Sequence, residues 1–584
     1  MKRLLILLLV IIAVTAWWAT RQEEYAPPAA EKSRFAAAYP SDFAERLNRV
    51  GGLTLKLQEP LPIDIPWETA EGHQSPGDAD ARKGGCVRVS NAGSFPAHFH
   101  RFGGGMPQFF HQNLQAATEI PLVAKHPLSG KPTAGVAEAW GIVGNTVYFR
   151  LNPAARYNNG RPVRAGDYLL AVLLQAEQRC AEYETLASLA TSLCTHGEHL
   201  LSLTMRNQAD VLLASRLLIP AEPAFYADFN SRFKETYAQR IPPATGAYRV
   251  SHVQSGRSIK LQRVTNWWGE SLPLCRHRFN ADTLEYHFLT SEAQVWEFLL
   301  RGKLDAVQTR NIAAWQERAE PAEHLHRTVY DAEYPLPPYG IALNAQTIPE
   351  LELRRGLLHA MDMDKGVQLI MRGEGQRLPT FHSGYGALTP QATPQYQYNP
   401  GAARAAFARV GYTHPGPDGI LRRADGTRLS VTLLYTPNEK ISTLMSVLIQ
   451  SAANCGAEIK PEPVPWQICQ KRLRERSHQL VFWAMPASET PEPAQFFSPQ
   501  AEPEASPFGL KNADMSEALA AYAARPGIGT LSRIDRLVYE HAVWLPGWKE
   551  NRVYLAHQPR LRIPPSPWCF DALDAHFFWV TPAP

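Results

Sequence analysis

Between Tyr398 and Leu473 the spacing of apolar positions switches repeatedly between helical and strand periods, and nearly every switch carries a boundary residue. Asn399 is placed to cap a helix with Pro400 at its first position, Ala402 to Val410 form the body, and Gly411 stands where a left-handed C-terminal residue is wanted. Asp418-Gly419 and Asp425-Gly426 then supply turn chemistry, and Leu429 to Tyr435 (LSVTLLY) reads as a largely buried strand. Thr436-Pro437-Asn438-Glu439 reads as a capping box with proline at the first helical position. Ile441, Leu444, Met445, Leu448, Ile449 and Ala452 follow at helical spacing until Cys455-Gly456 stops the run. Ala457 to Lys460 suits a short strand. The stretch thus predicts a strand, a crossover helix and a parallel strand, which should be right-handed.

The same reading extends along the chain. A short helix is expected around Ser41 to Val50, a strand at Val147 to Leu151, a turn at Asn158-Asn159-Gly160, and a helix starting near Arg164 and running through Leu169, Leu170, Val172 and Leu173. Tyr248, Val250, Ile259 and Leu261 alternate on one face of a hairpin turned at Gln254 to Arg257. Gln294 to Arg301 predicts a helix ended by Gly302, followed by a strand at Leu304 to Val307. Glu350 to Met363 predicts a further helix with Leu353, Leu357, Leu358 and Met361 facing inward.

Composition adds size and compartment. At 584 residues, 45% hydrophobic and 20% charged, the chain can build more than one core, since single cores stop growing at ~250 to 300 residues. The net charge of +4 is small and dispersed, which argues against a nucleic-acid partner. Fourteen tryptophans suit either a core or a large cleft taking a mixed polar and apolar ligand.

At the N-terminus, Lys2-Arg3 precede an uncharged run from Leu4 to Ala19, the order of a signal peptide, and Val14-Thr15-Ala16 offers small residues for cleavage. The run spans about 24 Å as a helix, short of the roughly 30 Å hydrocarbon core, yet Trp17 and Trp18 could anchor it at an interface. Residues 1–20 are therefore read as a signal peptide or membrane anchor, and 21–82, rich in Pro, Ala and Glu, as a linker or extension that could act as a tether. An exported compartment permits disulfides. Of seven cysteines, Cys180 with Cys194 and Cys455 with Cys469 lie nearest in sequence, and spacing alone assigns no pairing.

The order of motifs is similar to one family. The segments YNPGAARAAFARVGY, PDGILRRADGTRLSVTLLY and CGAEIKPEPVPW resemble the distal lobe of the family 5, peptide-type solute-binding proteins of ABC importers. Lys83 to Val89 resembles that family's first strand, Ala137 to Asp167 its signature segment, and Ala244 to Gly269 its hairpin followed by a paired aromatic and glycine. The KGG start, the serine-phenylalanine turn after the first strand and the SGRSI hairpin resemble most the YejA-type branch. The resemblance implies an α/β, two-lobed periplasmic binding protein fold of type II, of the large cluster C kind, with an appended subdomain and hinge-crossing strands. Lobe I would comprise residues 83–111, 229–325 and 545–584, its appended subdomain 112–228, and lobe II 326–544. The strand at Leu304 to Val307 would be one of those crossing between lobes.

It also implies a function. Such a protein captures an oligopeptide or peptide-like solute by hinge closure, works as a monomer outside the cytoplasm, and delivers the solute to ABC permease and ATPase subunits, with no cofactor, no metal and no bond broken. The residues expected at the ligand are Phe95, His98 and Phe99 on the turn after the first strand, Tyr339 and Asn344, Trp466, and Trp483, Met485 and Glu489. Asn344 suits a turn equally well, and each aromatic suits a core. Where many peptide carriers place an acidic residue for the ligand's amino group, this chain has Met485, with Glu489 four residues on; a blocked, conjugated or non-peptide ligand is thereby favoured. Two other functions suit the same sequence: a ligand sensor without a transporter and, less well, an exported peptide hydrolase. His98, His100 and His111 could approach a metal, though histidines in an aromatic turn more often serve as hydrogen-bonded surface groups. HExxH and GxSxG are missing, and Ser129 to Pro132 (SGKP) lacks the spacing of a phosphate loop.

Overall fold

A computed structural model describes residues 39–581 apart from 63, 70–74, 76, 92–94, 97, 100–101, 103–107, 127–128, 228, 230–232, 238–239, 332–337, 376, 386–387, 391–393, 487–490, 500, 551 and 565–574. The expected signal or anchor segment, His100 and Glu489 lie outside the described residues. The chain divides into two compact units. Unit 1 holds the residues up to Val307, Ala322–His326 and those from Ala556 on; unit 2 holds Gln308–Pro321 and Arg327–Leu555. No helix among the described residues is long and apolar enough to cross a membrane.

Unit 1 begins with α1 (Phe43–Asn48), whose Phe43 and Leu47 are buried, and β1 (Thr54–Lys56). β2 (Cys86–Asn91) and α2 (Gln108–Thr118) follow, then the hairpin β3 (Ala137–Val143) and β4 (Thr146–Leu151), the buried helix α3 (Ala165–Glu177), and the hairpin β5 (Ala190–Thr195) and β6 (Leu200–Met205). These strands form a five-stranded sheet in the order β1-β5-β6-β4-β3. Here the reading of the N-terminal stretch as a tether is corrected from Tyr39 on. β1 pairs in parallel with β5, the Tyr39 hydroxyl donates to Asp167 at 2.7 Å, and Arg46 pairs with Glu177 at 2.7 Å and lies 4.2 Å over the Phe229 ring. A Pro-rich composition hides such docking, because a few well-placed apolar residues suffice to hold the segment.

The second sheet is built on β7 (Tyr248–Gln254) and β8 (Ser258–Arg263), the expected hairpin, together with β9 (Thr283–Phe288). Its strand order is β11-β17-β10-β2-β9-β8-β7, where β10 is Ala306–Thr309, β11 is His326–Asp331 and β17 is Arg552–His557. Three of the four boundaries between the units fall inside β10, β11 and β17, and the fourth lies between Pro321 and Ala322. The helix before β10, α4 (Glu292–Leu300), ends ahead of Gly302 at φ +65°. Asp305, fully buried, holds the root of β10: it accepts from the Arg88 backbone N–H at 2.7 Å and takes the guanidinium groups of Arg88 (3.0 Å) and Arg560 (2.8 Å).

In unit 2, β12 (Tyr339–Leu343) leads to α5 (Leu351–Ala360), α6 (Met363–Ile370) and α7 (Pro400–Arg409). The single helix expected over Glu350 to Met363 is two, because the Asp362 side chain accepts from the Lys365 N–H and so starts a new helix where the first would continue. α7 follows expectation: the Asn399 side chain accepts from Ala402 N–H, and Gly411 takes φ +88°. β13 (Ser430–Tyr435), α8 (Glu439–Asn454) and β14 (Glu458–Pro463) form the expected parallel crossover, Ser430 to Tyr435 pairing in register with Glu458 to Pro463. The N-cap is Asn438, accepting from Ile441 N–H at 2.8 Å, and Thr436 does not serve, because the helix starts two residues later and its first free N–H groups lie within reach of asparagine. α9 (Trp466–Arg474), β15 (Leu480–Ala484), α10 (Ala513–Ala524), α11 (Ile528–Glu540) and β16 (Trp544–Pro546) complete a five-stranded sheet in the order β14-β13-β15-β12-β16. Two apolar cores flank it, one around Leu433, Phe407, Leu448 and Trp548, the other around Trp483, Phe496, Phe508 and Trp544. Among the described residues Cys86, Cys194, Cys275, Cys455 and Cys469 are free thiols.

Candidate functional site

In α/β sheets ligands gather at the carboxyl ends of parallel strands, where loops and helix N-termini converge. In unit 2 that edge is formed by Tyr435, Pro463 and Ala484, the last residues of β13, β14 and β15, joined by the antiparallel β12 and β16 through Tyr339 opposite Ala484 and Pro546 opposite Gly340. Tyr339 opens the edge and stacks on two rings: Phe482 at 6.0 Å and 7°, and Trp548 at 4.9 Å and 17°. Phe482 and Trp548 are themselves stacked at 5.8 Å. The rings are held by main chain. Tyr339 N–H donates to Trp548 O at 2.7 Å and Gly547 N–H to Tyr339 O at 2.9 Å, and a Cβ at Gly547 would lie 2.6 Å from that oxygen. Burial, with the carboxylate of Glu550 adding to it, pushes the Tyr339 hydroxyl up to about 12, so it stays a neutral donor. Lys440, on α8, pairs with Glu550 and lies 5.4 Å over the Trp548 ring. The edge therefore offers the half-buried rings of Tyr339 and Phe482, backed by the buried Trp548, together with a phenol and an opposed charge pair.

The other residues expected in this unit are distributed differently. Trp483 is 3% exposed and packs edge-on against Phe496 at 6.0 Å and Phe508 at 6.1 Å; with Met485, also 3% exposed, it belongs to the core on the opposite face from Phe482. Strand side chains alternate, so a platform that takes Phe482 necessarily turns Trp483 and Met485 away. Asn344 sits past the far end of β12, about 17 Å from Tyr339 at the usual strand rise. Its amide donates to the carbonyls of Arg476 and His478, both at 3.0 Å, and its oxygen accepts from Gln346 N–H, so its capacity is spent on a turn. Trp466 opens α9 just beyond β14 and is 46% exposed. Phe482 and Trp548 were missed in sequence. Pairing Phe482 with Tyr339 requires the register of two strands far apart in the chain, although its alternation with Trp483 was visible.

Unit 1 has a matching edge. Asn91 and Phe288 end β2 and β9, which run parallel. Phe95, half-buried on the turn after β2, meets Phe288 edge-on at 4.8 Å, and the Asn113 amide donates to the buried Asn91 at 3.5 Å. His98 is half-buried on the same turn, whereas Phe99 is buried and lines a cavity between α2, α3 and β7. Among the described residues no cluster of three His, Cys, Asp or Glu side chains could hold a metal ion. A buried His382–Asp535 pair, with Nδ1 at 2.5 Å from Oδ1, superficially suits a hydrolase. Its Nε2 is sealed in without a hydrogen bond, and the neighbouring Ser383 and Thr380 hydroxyls bond to one another at 3.0 Å, so the pair activates no nucleophile.

Residues 131–507 match the family described as bacterial extracellular solute-binding proteins, family 5 Middle. The chain is 24% identical over 249 residues to a Brucella suis binding protein, a match covering 41% of this chain and 40% of that one, and 24% identical over 245 residues to YejA of Escherichia coli, covering 41% and 39%. The chain thus spans about two fifths of the length of the curated relatives it matches first. The nickel-binding periplasmic protein of Escherichia coli is 22% identical over 75% of this chain and 86% of its own. Among solved structures, the oligopeptide-binding protein AppA of Bacillus subtilis in complex with a nonapeptide superimposes with a TM-score of 0.67 at 16% identity, covering 86% of this chain and all of that one. NikA of Brucella suis in complex with Fe(III)-EDTA gives 0.64 at 17% identity, covering 82% and 96%. These likenesses give the fold, a two-lobed periplasmic binding protein.

Proposed function

The chain belongs to the family 5 extracellular solute-binding proteins, and we propose that it captures an oligopeptide or peptide-like solute between its two units by hinge closure and hands it to an ABC permease and ATPase. Family 5 proteins act outside the cytoplasm as the binding components of ABC importers. The observation that supports the ligand class is the pair of half-buried rings Tyr339 and Phe482, backed by the buried Trp548, with the Lys440–Glu550 pair beside it at the carboxyl edge of the unit 2 sheet. Flat rings accept apolar surface of many shapes, which suits a carrier reading a ligand's backbone more than its side chains. Trp466, Phe95 and His98 stand as further contacts.

Relatives of this fold were solved with a nonapeptide and with Fe(III)-EDTA, so the platform and not the fold must select the ligand. Met485, buried in the core, offers no carboxylate to a free amino terminus, which favours a blocked or conjugated peptide. Closure requires contacts made in the closed state alone, because a ligand bound equally in both states shifts neither. The solute leaves unchanged. Native mass spectrometry of the gently purified protein tests this: an intact co-purifying peptide-like molecule, lost on Tyr339→Ala, is expected. Conversion of the bound molecule into a product, or a non-peptide occupant such as a metal chelate, overturns the reading.

A further inference from the structure

Lys549 follows Trp548 at the carboxyl edge of the unit 2 sheet, where the Trp548 carbonyl accepts from Tyr339 N–H at 2.7 Å. Three other cations of this region are matched by carboxylates: Lys440 holds Glu550, Arg377 holds Asp364 at 3.2 Å, and Arg552 holds Glu374 at 2.5 Å. Lys549 is half-buried and unmatched. Among the described residues no carboxylate and no hydrogen-bond acceptor takes its Nζ, and that nitrogen is not one of the polar atoms sealed from solvent. Burial alone pushes its pKa below the ordinary lysine value, with no opposing charge to restore it. An ammonium that has lost part of its hydration and gained no anion in return is unfavourable, and its open side is placed for a partner from outside the chain.

The surroundings are shaped to this ammonium. The loop from Arg377 to Gly384 is tied to β16 and the residue after it: Arg377 Nε donates to Pro546 O and Leu378 N–H to Gly547 O, each at 2.8 Å. Further along, the buried Thr380 and Ser383 hydroxyls bond at 3.0 Å and His382 N–H donates to Asp535 at 3.1 Å. The loop ends at Gly384, which takes φ +91°, and a Cβ there would collide with Lys549 Nζ. Only glycine combines that backbone conformation with room for the amine. A loop pinned at these points holds the cation in place before any ligand arrives, so little order is lost on binding.

We infer that Lys549 receives the terminal carboxylate of the solute, which makes the solute an acidic, peptide-like molecule. This rests on the carrier reading above and deepens it. Met485, buried in the core, offers no carboxylate to a free amino terminus, so the charged end left for this edge to recognise is the acidic one. A single ammonium suits one compact negative charge. The Glu550 carboxylate on the next residue, although paired with Lys440, disfavours a dianion such as a phosphate ester.

The test measures binding of N-acetyl-Gly-Phe-Gly as the free acid and as its carboxyl-terminal amide. Isothermal titration calorimetry is run on the full chain, on Lys549→Met, which keeps an unbranched stem and removes the charge, and on Lys549→Arg, which restores it. The acid should bind the unaltered protein at least about tenfold more tightly than the amide, the scale of a hydrogen bond to a charged group. The preference should vanish in Lys549→Met, with the affinity for the amide unchanged, and return in Lys549→Arg. Equal binding of acid and amide to the unaltered protein, or a preference that Lys549→Met leaves intact, overturns the assignment and leaves the carrier reading standing. Failure of both probes to bind at millimolar concentration overturns the two together.

Discussion

Phe482 and Trp483 are neighbours in the chain on opposite faces of β15, so truncating each to alanine separates ligand contact from packing. Trp483 is 3% exposed between Phe496 and Phe508, and removing an aromatic from such a site costs about 3–5 kcal/mol in lost transfer energy and residual cavity. Phe482 is half-buried in the stack with Tyr339 and Trp548. Its loss should forfeit about half of the ~1.5–3 kcal/mol of a fully buried side chain and about 0.5–1.5 kcal/mol of ring pairing, roughly 1.5–3 kcal/mol in all. In a unit of ~150–250 residues each kcal/mol moves the melting temperature by about 2–4 °C. Trp483→Ala should therefore lower the unit 2 transition by roughly 6–20 °C, and Phe482→Ala by clearly less. Differential scanning calorimetry reads the transition, and native mass spectrometry below it reads the fraction of protein carrying co-purified solute. The solute should persist in Trp483→Ala and be lost in Phe482→Ala. A Trp483→Ala protein that melts like the unaltered chain yet loses its solute would refute the assignment of faces.

Two further predictions follow from buried carboxylates in unit 1. Asp305→Ala strands the guanidinium groups of Arg88 and Arg560 and should cost about 3–5 kcal/mol, read as a lowered urea midpoint; a change under about 1 kcal/mol would show that the cluster contributes nothing net. Asp167, though it accepts from Tyr39, Tyr157 and the Arg164 N–H, is pushed up to about 7 by burial, which outweighs those three donors. Its protonated form is the one folding favours, so its contribution is full below the ordinary carboxylate range near pH 4 and is lost as the pH rises to about 7. The non-titrating Asp167→Asn should gain in melting temperature relative to the unaltered chain between pH 5 and pH 8, and an unchanged difference would contradict the burial argument.

Much of unit 2 could be read before any coordinates. Asn399, Gly411, Gly419, Gly426 and Gly456 act within a few residues of themselves, by capping a helix or adopting positive φ, and each does so where its local sequence places it. The exceptions are instructive: Asn438 displaced Thr436 as cap because two good caps stood two residues apart, and Asp362 split a helix by capping a new one. The order of motifs was likewise enough to indicate the family, since it reflects the succession of elements along the chain.

The platform, by contrast, was decided in three dimensions. Tyr339, Phe482 and Trp548 come from three separated segments, and which of Phe482 and Trp483 faces them depends on the register of β15 against β12, set by pairing between residues about 140 apart. The same holds for Asn344, which strand direction sends to the far end of the sheet. Local chemistry along the chain determined which elements form and where they stop. Only long-range pairing determined which of their side chains meet, because strand alternation reverses every face with a slip of one residue.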